Sequence, residues 1–424
     1  MNTCAIVGVN WGDEGKGRMV DYLSWRYDIV VRYQGGSNAG HTVINEFGKF
    51  ALNLMPSGIF RKSTVNILGN GTVIDPEHLC GEMEKLRLAG IPVSPENLKI
   101  SDRAIIVFPF HKEQDSLEET RLKDKRYGST KRGIAPVYGD KYQKKGIQMG
   151  DILFPDVLER RLHAALEWKN LTLTGVYGAE PYTYDAMMDW IKTYGGQLAP
   201  YITDTGAYLY RAHAEGKRIL FEAQLGALRD IDFGIYPYTS SSSPLAAYAP
   251  LGAGIPGVKV DEVVGVVKAY STCVGEGPFV AEWFGDEAEK LREAGGEYGA
   301  ATGRPRRVGP FDVVAAKYGA RVQGATAIAL TKLDVLCYMR RIPVCTGYEI
   351  GGKTVNEFPF TPLLEGAKPI MEYADGWGGD IGHIRTYEKL PPAARRYVEL
   401  IEEALGCPIK YVSVGADREA LIIR

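Results

Sequence analysis

The chain has 424 residues, 45% hydrophobic and 24% charged, with a formal net charge of -2. That length provides for a large core and for two or three domains, while the near-neutral charge excludes the basic surface of a nucleic-acid or acidic-membrane binder. No run of 18 apolar residues occurs, so no membrane span is expected, and six scattered cysteines without a C-x-x-C pair read as reduced thiols of a cytoplasmic protein rather than a metal cluster.

In chain order, the first predicted element is a strand in "AIVGVN", residues 5–10, entered without a charged leader or signal segment. It runs into "WGDEGKG", residues 11–17, and then an amphipathic helical pattern. Gly12, Gly15, Lys16 and Gly17 give this strand–loop–helix the layout of a phosphate-binding loop: glycine amides approach a phosphate, the helix start is electropositive, and Lys16 adds a charge for the β- or γ-phosphate. The common G-x-x-x-x-G-K-[ST] pattern does not fit, because Asn10 and Gly17 occupy its first and last positions. Asp13 and Glu14 add negative charge where phosphate is expected. A carboxylate is tolerable there if it binds Mg2+ or takes a proton from a second substrate.

A second strand, "DIVVRYQGG", opens onto Asn38, Gly40 and His41, where Asn38 can donate to a phosphate and His41 can act as acid or donor. "VNILGNGTVI" is a third strand-like run, and "PEHLCGEMEKLRLAG" is a helical pattern behind it. The loop "GSTKRGIAPVYGDKYQKKG", residues 128–146, supplies Ser129, Thr130, Lys144 and Lys145 for a second phosphate. "RILFEAQLG" predicts another strand, and residues 296–312 form a loop whose Arg304, Arg306 and Arg307 can clamp carboxylates or phosphates. In "ATAIALTKLDVL" a strand precedes T-K-L-D, close to the N-K-x-D of GTP-binding proteins; Asp334 can accept from both donors of a guanine edge and the Lys332 stem can cover the base. Helix "PPAARRYVELIEEALG", with Pro at its start and Gly at its end, and strand "IKYVSVG", carrying Ser413, close the series. Strands alternating with helices imply an α/β fold: a large, mostly parallel central sheet flanked by helices, with the phosphate loop after the first strand and ligands at strand ends. Without an evident linker, residues 1–424 read as one domain with inserted helical subdomains.

W-G-D-E-G-K-G, Q-G-G-x-N-A-G-H-T, G-S-T-K-R-G-I, D-I-D-F-G-I-Y-P-Y, K-A-Y-S-T, G-R-P-R-R and T-K-L-D-V-L together resemble the adenylosuccinate synthetase family, from Ala5 to Arg418. The resemblance implies a homodimeric, Mg2+-dependent ligase that makes adenylosuccinate, GDP and phosphate from IMP, L-aspartate and GTP. It implies that Asp13 is both metal ligand, with the Gly40 carbonyl, and the base at N1 of IMP, and that His41 donates to the transferring phosphoryl group. GTP would lie on Gly12, Asp13, Glu14, Gly15, Lys16 and Gly17 with Gly40, His41 and Thr42. Lys332, Leu333 and Asp334, with Ser413, Val414 and Gly415, would hold guanine.

By the same resemblance Asn38, Thr130, Gln224 and Arg304 would contact IMP. L-aspartate would lie along Gly299, Ala300, Ala301, Thr302, Gly303 and Arg304, its carboxylates facing Arg304 and Arg306; Arg306 also counts toward the nucleotide side. Lys144 stands where the family has an arginine reaching the neighbouring subunit's IMP. Departures concentrate in the IMP half. Gln224 is displaced by one position, Ser243 and Pro244 replace a threonine pair, and Ala301 replaces a threonine; Ser242 or Ser243 is then the hydroxyl for the IMP phosphate. Two alternatives remain at this point: a paralogue acting on another 6-oxopurine nucleotide, and a GTP-binding switch without ligase activity.

Overall fold

The computed structural model describes residues 2–45, 47–299 and 303–424. Its frame is a ten-stranded sheet made of β1 (Thr3–Gly8), β2 (Ile29–Arg32), β3 (Val65–Leu68), β4 (Leu98–Ser101), β5 (Ile202–Thr203), β6 (Ile219–Gly226), β7 (Glu262–Lys268), β8 (Ala327–Thr331), β9 (Ile409–Ser413) and β10 (Leu421–Ile423). The order across the sheet is β10-β9-β8-β7-β1-β6-β2-β3-β4-β5. Every pairing is parallel except the β9/β10 edge pair. The expected mostly parallel α/β sheet is therefore present, and the six strand-like runs named above all contribute strands to it.

Parallel strands need cover on both faces, which is why these runs are mostly apolar rather than alternating, with Arg32, Asn66, Glu222 and Gln224 as the polar exceptions. In β1 all six residues are buried. Cys4 and Ile6 pack with Met19, Val20 and Leu220 on one face, whereas Ala5 and Val7 pack with Val31, Phe221 and Ala249 on the other. The two predicted helices occupy Pro76–Leu88 and Pro392–Leu405. Asp75 caps the first by accepting from the His78 amide at 3.1 Å, and Gly406 ends the second in the left-handed region at φ 62°.

Between β4 and β5 the chain inserts helices Pro109–Leu122, Ile134–Tyr142, Pro155–Tyr177 and Tyr184–Leu198. Strand Arg341–Ile350 builds a second small sheet with antiparallel Lys368–Asp375 and Lys353–Val355. Strand β1 lies between β6 and β7, so the chain runs outward from it in both directions. The crevice at the carboxyl ends of strands around such a switch point is where open α/β sheets bind ligands. No described helix is long and apolar enough to cross a membrane.

Candidate functional site

The loop after β1 separates its two acids. Glu14 turns inward: its carboxylate accepts from the amides of Asn10 at 3.1 Å and Gly12 at 2.8 Å and pairs with Lys16 at 2.6 Å. It is a buried strut that holds the loop in its curve. A side chain at Gly8 would displace it, because a Cβ there lies 2.5 Å from Glu14 Oε2. Asp13 instead sits at φ 59°, a left-handed conformation uncommon outside glycine, with its carboxylate partly exposed. Its Oδ2 lies 2.9 Å from Arg306 Nε, close enough for an ion pair though not aligned for a hydrogen bond. The helix Lys16–Ser24 begins here, with Gly15 as its left-handed cap at φ 99°.

Gly17 also has a physical reason. A Cβ at this position would stand 3.0 Å from His41 Cβ, so the imidazole packs where a P-loop serine or threonine would project. His41 opens the hairpin made by His41–Asn45 and Gly48–Leu52. Arg32 Nη1 donates to His41 Nδ1 at 3.1 Å. Because a guanidinium only donates, Nδ1 is the acceptor and Nε2 carries the proton. That Nε2 has no hydrogen-bond partner among the described residues, although Glu222 Oε1 is 3.5 Å away. Burial, with Arg32 opposing Glu222, lowers the imidazole to about 4. His41 is therefore a neutral N–H donor at physiological pH.

T-K-L-D follows β8 as expected. Thr331 donates to the Glu14 carbonyl at 2.6 Å, tying this loop to the phosphate loop. The Asp334 Oδ1 atom is buried without a partner among the described residues, and burial raises its carboxyl above the usual range. Such an acceptor is costly to leave unpaired unless a ligand satisfies it. Lys332 is anchored by its ammonium to the Gly295 carbonyl at 2.5 Å and to Glu297 at 2.8 Å. Arg18 binds the closing loop, donating to Ser413 Oγ, to the Gly415 carbonyl at 2.7 Å and to the Ala420 carbonyl at 2.9 Å.

The arginine loop meets the same place. Arg306 bridges Asp13 and Glu297, the latter at 2.7 Å. Arg304 is largely exposed with Glu276 at 3.7 Å, and Arg307 is taken up by Glu282 and by the Gly277 carbonyl at 2.8 Å. Gly299 accepts the Gly303 amide at 2.8 Å. Ala300, Ala301 and Thr302 lie outside the described residues.

On the other flank, Gln224 Nε2 donates to the Gly36 carbonyl at 2.7 Å, and its buried Oε1 has no partner among the described residues. Asn38 Oδ1 accepts from the Gly36 amide at 3.2 Å. Ser243 donates to Asp230 at 2.5 Å and Ser242 to Gln34 at 2.8 Å, so both hydroxyls already have acceptors. Thr130 is exposed on a loop pinned by Ser129 to Asp115 at 2.6 Å, and Lys144 is exposed at φ 63° just beyond helix Ile134–Tyr142. The structure thus gathers Asp13, Lys16, His41, Arg306, Lys332 and Asp334 around the switch point, while Thr130 and Lys144 are exposed on the helical insert. Sequence reasoning passed over Arg18, Arg32, Glu222 and Glu297. Arg32 and Glu222 are charges inside strand-like runs, a composition that burial makes expensive unless paired, whereas Arg18 in the first helical pattern and Glu297 in the 296–312 loop carry no such signal.

A phosphate loop holding an outward acid, a base-reading loop with an orphaned acceptor and an arginine loop around one switch point define a nucleotide-dependent ligase. The adenylosuccinate synthetase family model matches residues 5–422. The chain belongs to the adenylosuccinate synthetase family and is a ligase that forms a C–N bond. It is 46% identical over 424 residues to the adenylosuccinate synthetase of Caldanaerobacter subterraneus subsp. tengcongensis, covering 100% of this chain and 99% of that protein. It is 45% identical over 424 residues to that of Frankia alni, with the same coverage. The fully ligated adenylosuccinate synthetase from Plasmodium falciparum superposes with a TM-score of 0.94 at 35% identity over 100% of both chains. A cyanophage S-2L succinoaminodeoxyadenylate synthetase, bound to dGMP and dATP, shares the fold with a TM-score of 0.59 at 17% identity, covering 100% of this chain and 95% of that one.

Proposed function

We propose that this chain joins IMP to L-aspartate at the expense of GTP, through 6-phosphoryl-IMP, with Asp13 and His41 carrying the chemistry. The observation that carries the reading is the split of the two loop acids: Glu14 is consumed inside the loop, and Asp13 faces Arg306 across the crevice. Asp13 takes the N1 proton of IMP, and the 6-oxygen then attacks the γ-phosphate as GDP leaves. The aspartate amine next attacks C6 and phosphate departs, an easier leaving group than the original oxygen. The proton on His41 Nε2 is the donor for the transferring phosphoryl group and then for the leaving phosphate, which a neutral imidazole with Nδ1 bound to Arg32 provides.

The amides of Gly12 to Gly17, Lys16 and residues Gly40 to Thr42 cradle the triphosphate, and Lys332 to Asp334 with Ser413 to Gly415 hold guanine. Asn38, Thr130, Gln224 and Arg304 are assigned to IMP, and the segment from Gly299 to Arg304 with Arg306 is assigned to L-aspartate. Asp13 and the Gly40 carbonyl fit Mg2+, which accepts one or two protein oxygens when substrate phosphates and water complete its octahedron. When bound, the ion neutralises charge on the phosphates. The protein works in the cytoplasm as a homodimer, each Lys144 reaching the neighbouring IMP phosphate.

The test is product formation by the purified protein from IMP, L-aspartate, GTP and Mg2+, with adenylosuccinate resolved chromatographically and phosphate counted. Turnover only with another 6-oxopurine nucleotide would give the paralogue instead. Tight GTP binding without any product would give a switch.

A further inference from the structure

Glu297 receives more donors than any role so far assigned requires. Its carboxylate is fully buried. Oε1 accepts from Lys268 at 2.8 Å, Tyr270 at 2.5 Å and Lys332 at 2.8 Å; Oε2 accepts from Lys268 at 2.9 Å and Arg306 at 2.7 Å. Lys268 and Tyr270 come from K-A-Y-S-T, a motif to which the catalytic reading gives no task. Its Thr272 hydroxyl accepts from Lys268 at 2.9 Å, completing that ammonium's partners. Lys332 belongs to the guanine-reading loop, and Arg306 to the arginine loop that meets Asp13.

We infer that Glu297 is a positioning residue that couples guanine recognition to the L-aspartate side of the site, by fixing Lys332 and Arg306 on one carboxylate. The inference rests on the ligase reading and deepens it. Geometry makes the coupling direct: Lys332 and Arg306 sit on opposite oxygens of a group with no freedom to turn, because Lys268 bridges both oxygens from behind. A shift of either cation changes the charge the other feels at hydrogen-bond range. Burial alone would push the Glu297 carboxyl up, but Lys268, Lys332 and Arg306 hold it far below the usual carboxylate range, so it stays ionised. Three cations around Glu297 and Asp13 leave surplus positive charge beside the phosphate loop, which an anionic substrate would complete.

The closing experiment uses steady-state kinetics on wild type, Lys332→Ala, Glu297→Gln and the double variant. Wild-type turnover of IMP, L-aspartate and GTP tests the ligase reading by itself; the variants test only the coupling. Lys332 lies outside the arginine loop, so an uncoupled site would show a raised KM for GTP alone. We expect Lys332→Ala to raise the KM for L-aspartate about tenfold as well, with the KM for IMP within about twofold. In the Glu297→Gln background the same lysine change should leave the L-aspartate KM unchanged, because the link is already cut. An L-aspartate KM unaffected by Lys332→Ala, or equal lysine effects in both backgrounds, overturns the inference. Should Glu297→Gln fail to fold, the single Lys332→Ala result decides the matter, since that side chain is one-third exposed.

Discussion

Replacing Asp334 by asparagine should weaken GTP and stabilise the empty protein at the same time. Its buried Oδ1 has no partner among the described residues, and burial raises its carboxyl. The free protein therefore carries an unsatisfied acceptor whose ionised form is disfavoured. Guanine offers two adjacent donors, and an asparagine amide would meet one of them with a donor of its own. A hydrogen bond to a charged group contributes about 1.5–3 kcal/mol; at about 1.4 kcal/mol per tenfold, the loss corresponds to roughly 10- to 100-fold in GTP affinity. Calorimetric titration with GTP and ATP, beside thermal unfolding of the unliganded variant, measures both halves. Unchanged GTP affinity, or a lower unliganded melting temperature, would refute the idea that this carboxylate is held in readiness for a base.

Asp13→Ala should fold normally and lose synthesis by at least about 10²–10⁴-fold, the usual contribution of a positioned base; progress curves with all three substrates check it. Lys144→Ala should raise the KM for IMP more than that for GTP, and mixing it with Asp13→Ala should restore some activity through hybrid dimers, read after subunit exchange is demonstrated. His111 is buried against Asp140 at 2.9 Å, and burial lowers it from its ordinary 6.5 to about 4. The unfolded chain then binds an extra proton below pH 6.5, so stability is full above that value and declines as pH falls toward 4. The 2.5-unit difference between those values corresponds to about 3 kcal/mol. Denaturant unfolding of wild type and His111→Gln across that window should show the wild-type loss reduced in the variant, with the share contributed by His41 remaining.

The strands and loops of the crevice were legible because their signals are local. Apolar runs ending in glycine mark buried parallel strands, and T-K-L-D follows one of them. The division of labour between Asp13 and Glu14 was not legible, because it depends on a left-handed backbone at Asp13 and on which carboxylate the loop's own amides capture. Nor was Glu297. It lies 29 residues from Lys268 and 35 from Lys332, and only the sheet order brings the three together. The serines at 242 and 243 illustrate the converse. Their hydroxyls suggest a phosphate site, yet Gln34 and Asp230 hold both. A sequence lists donors without saying which acceptors reach them first.

The central place of β1 has a consequence for how the molecule comes into being. Cys4 registers with Leu220 on one side and Glu262 on the other, so both neighbours of this strand are more than two hundred residues away along the chain. On a ribosome, β1 waits unpaired while β2, β3 and β4 can already associate among themselves. The phosphate loop rests on β1 and therefore acquires its shape only after β6 and β7 have slotted in beside it. Nucleotide capture should be among the last properties to appear during refolding, well after most helical signal has returned, and a chain cut short before residue 260 should retain helices without holding GTP.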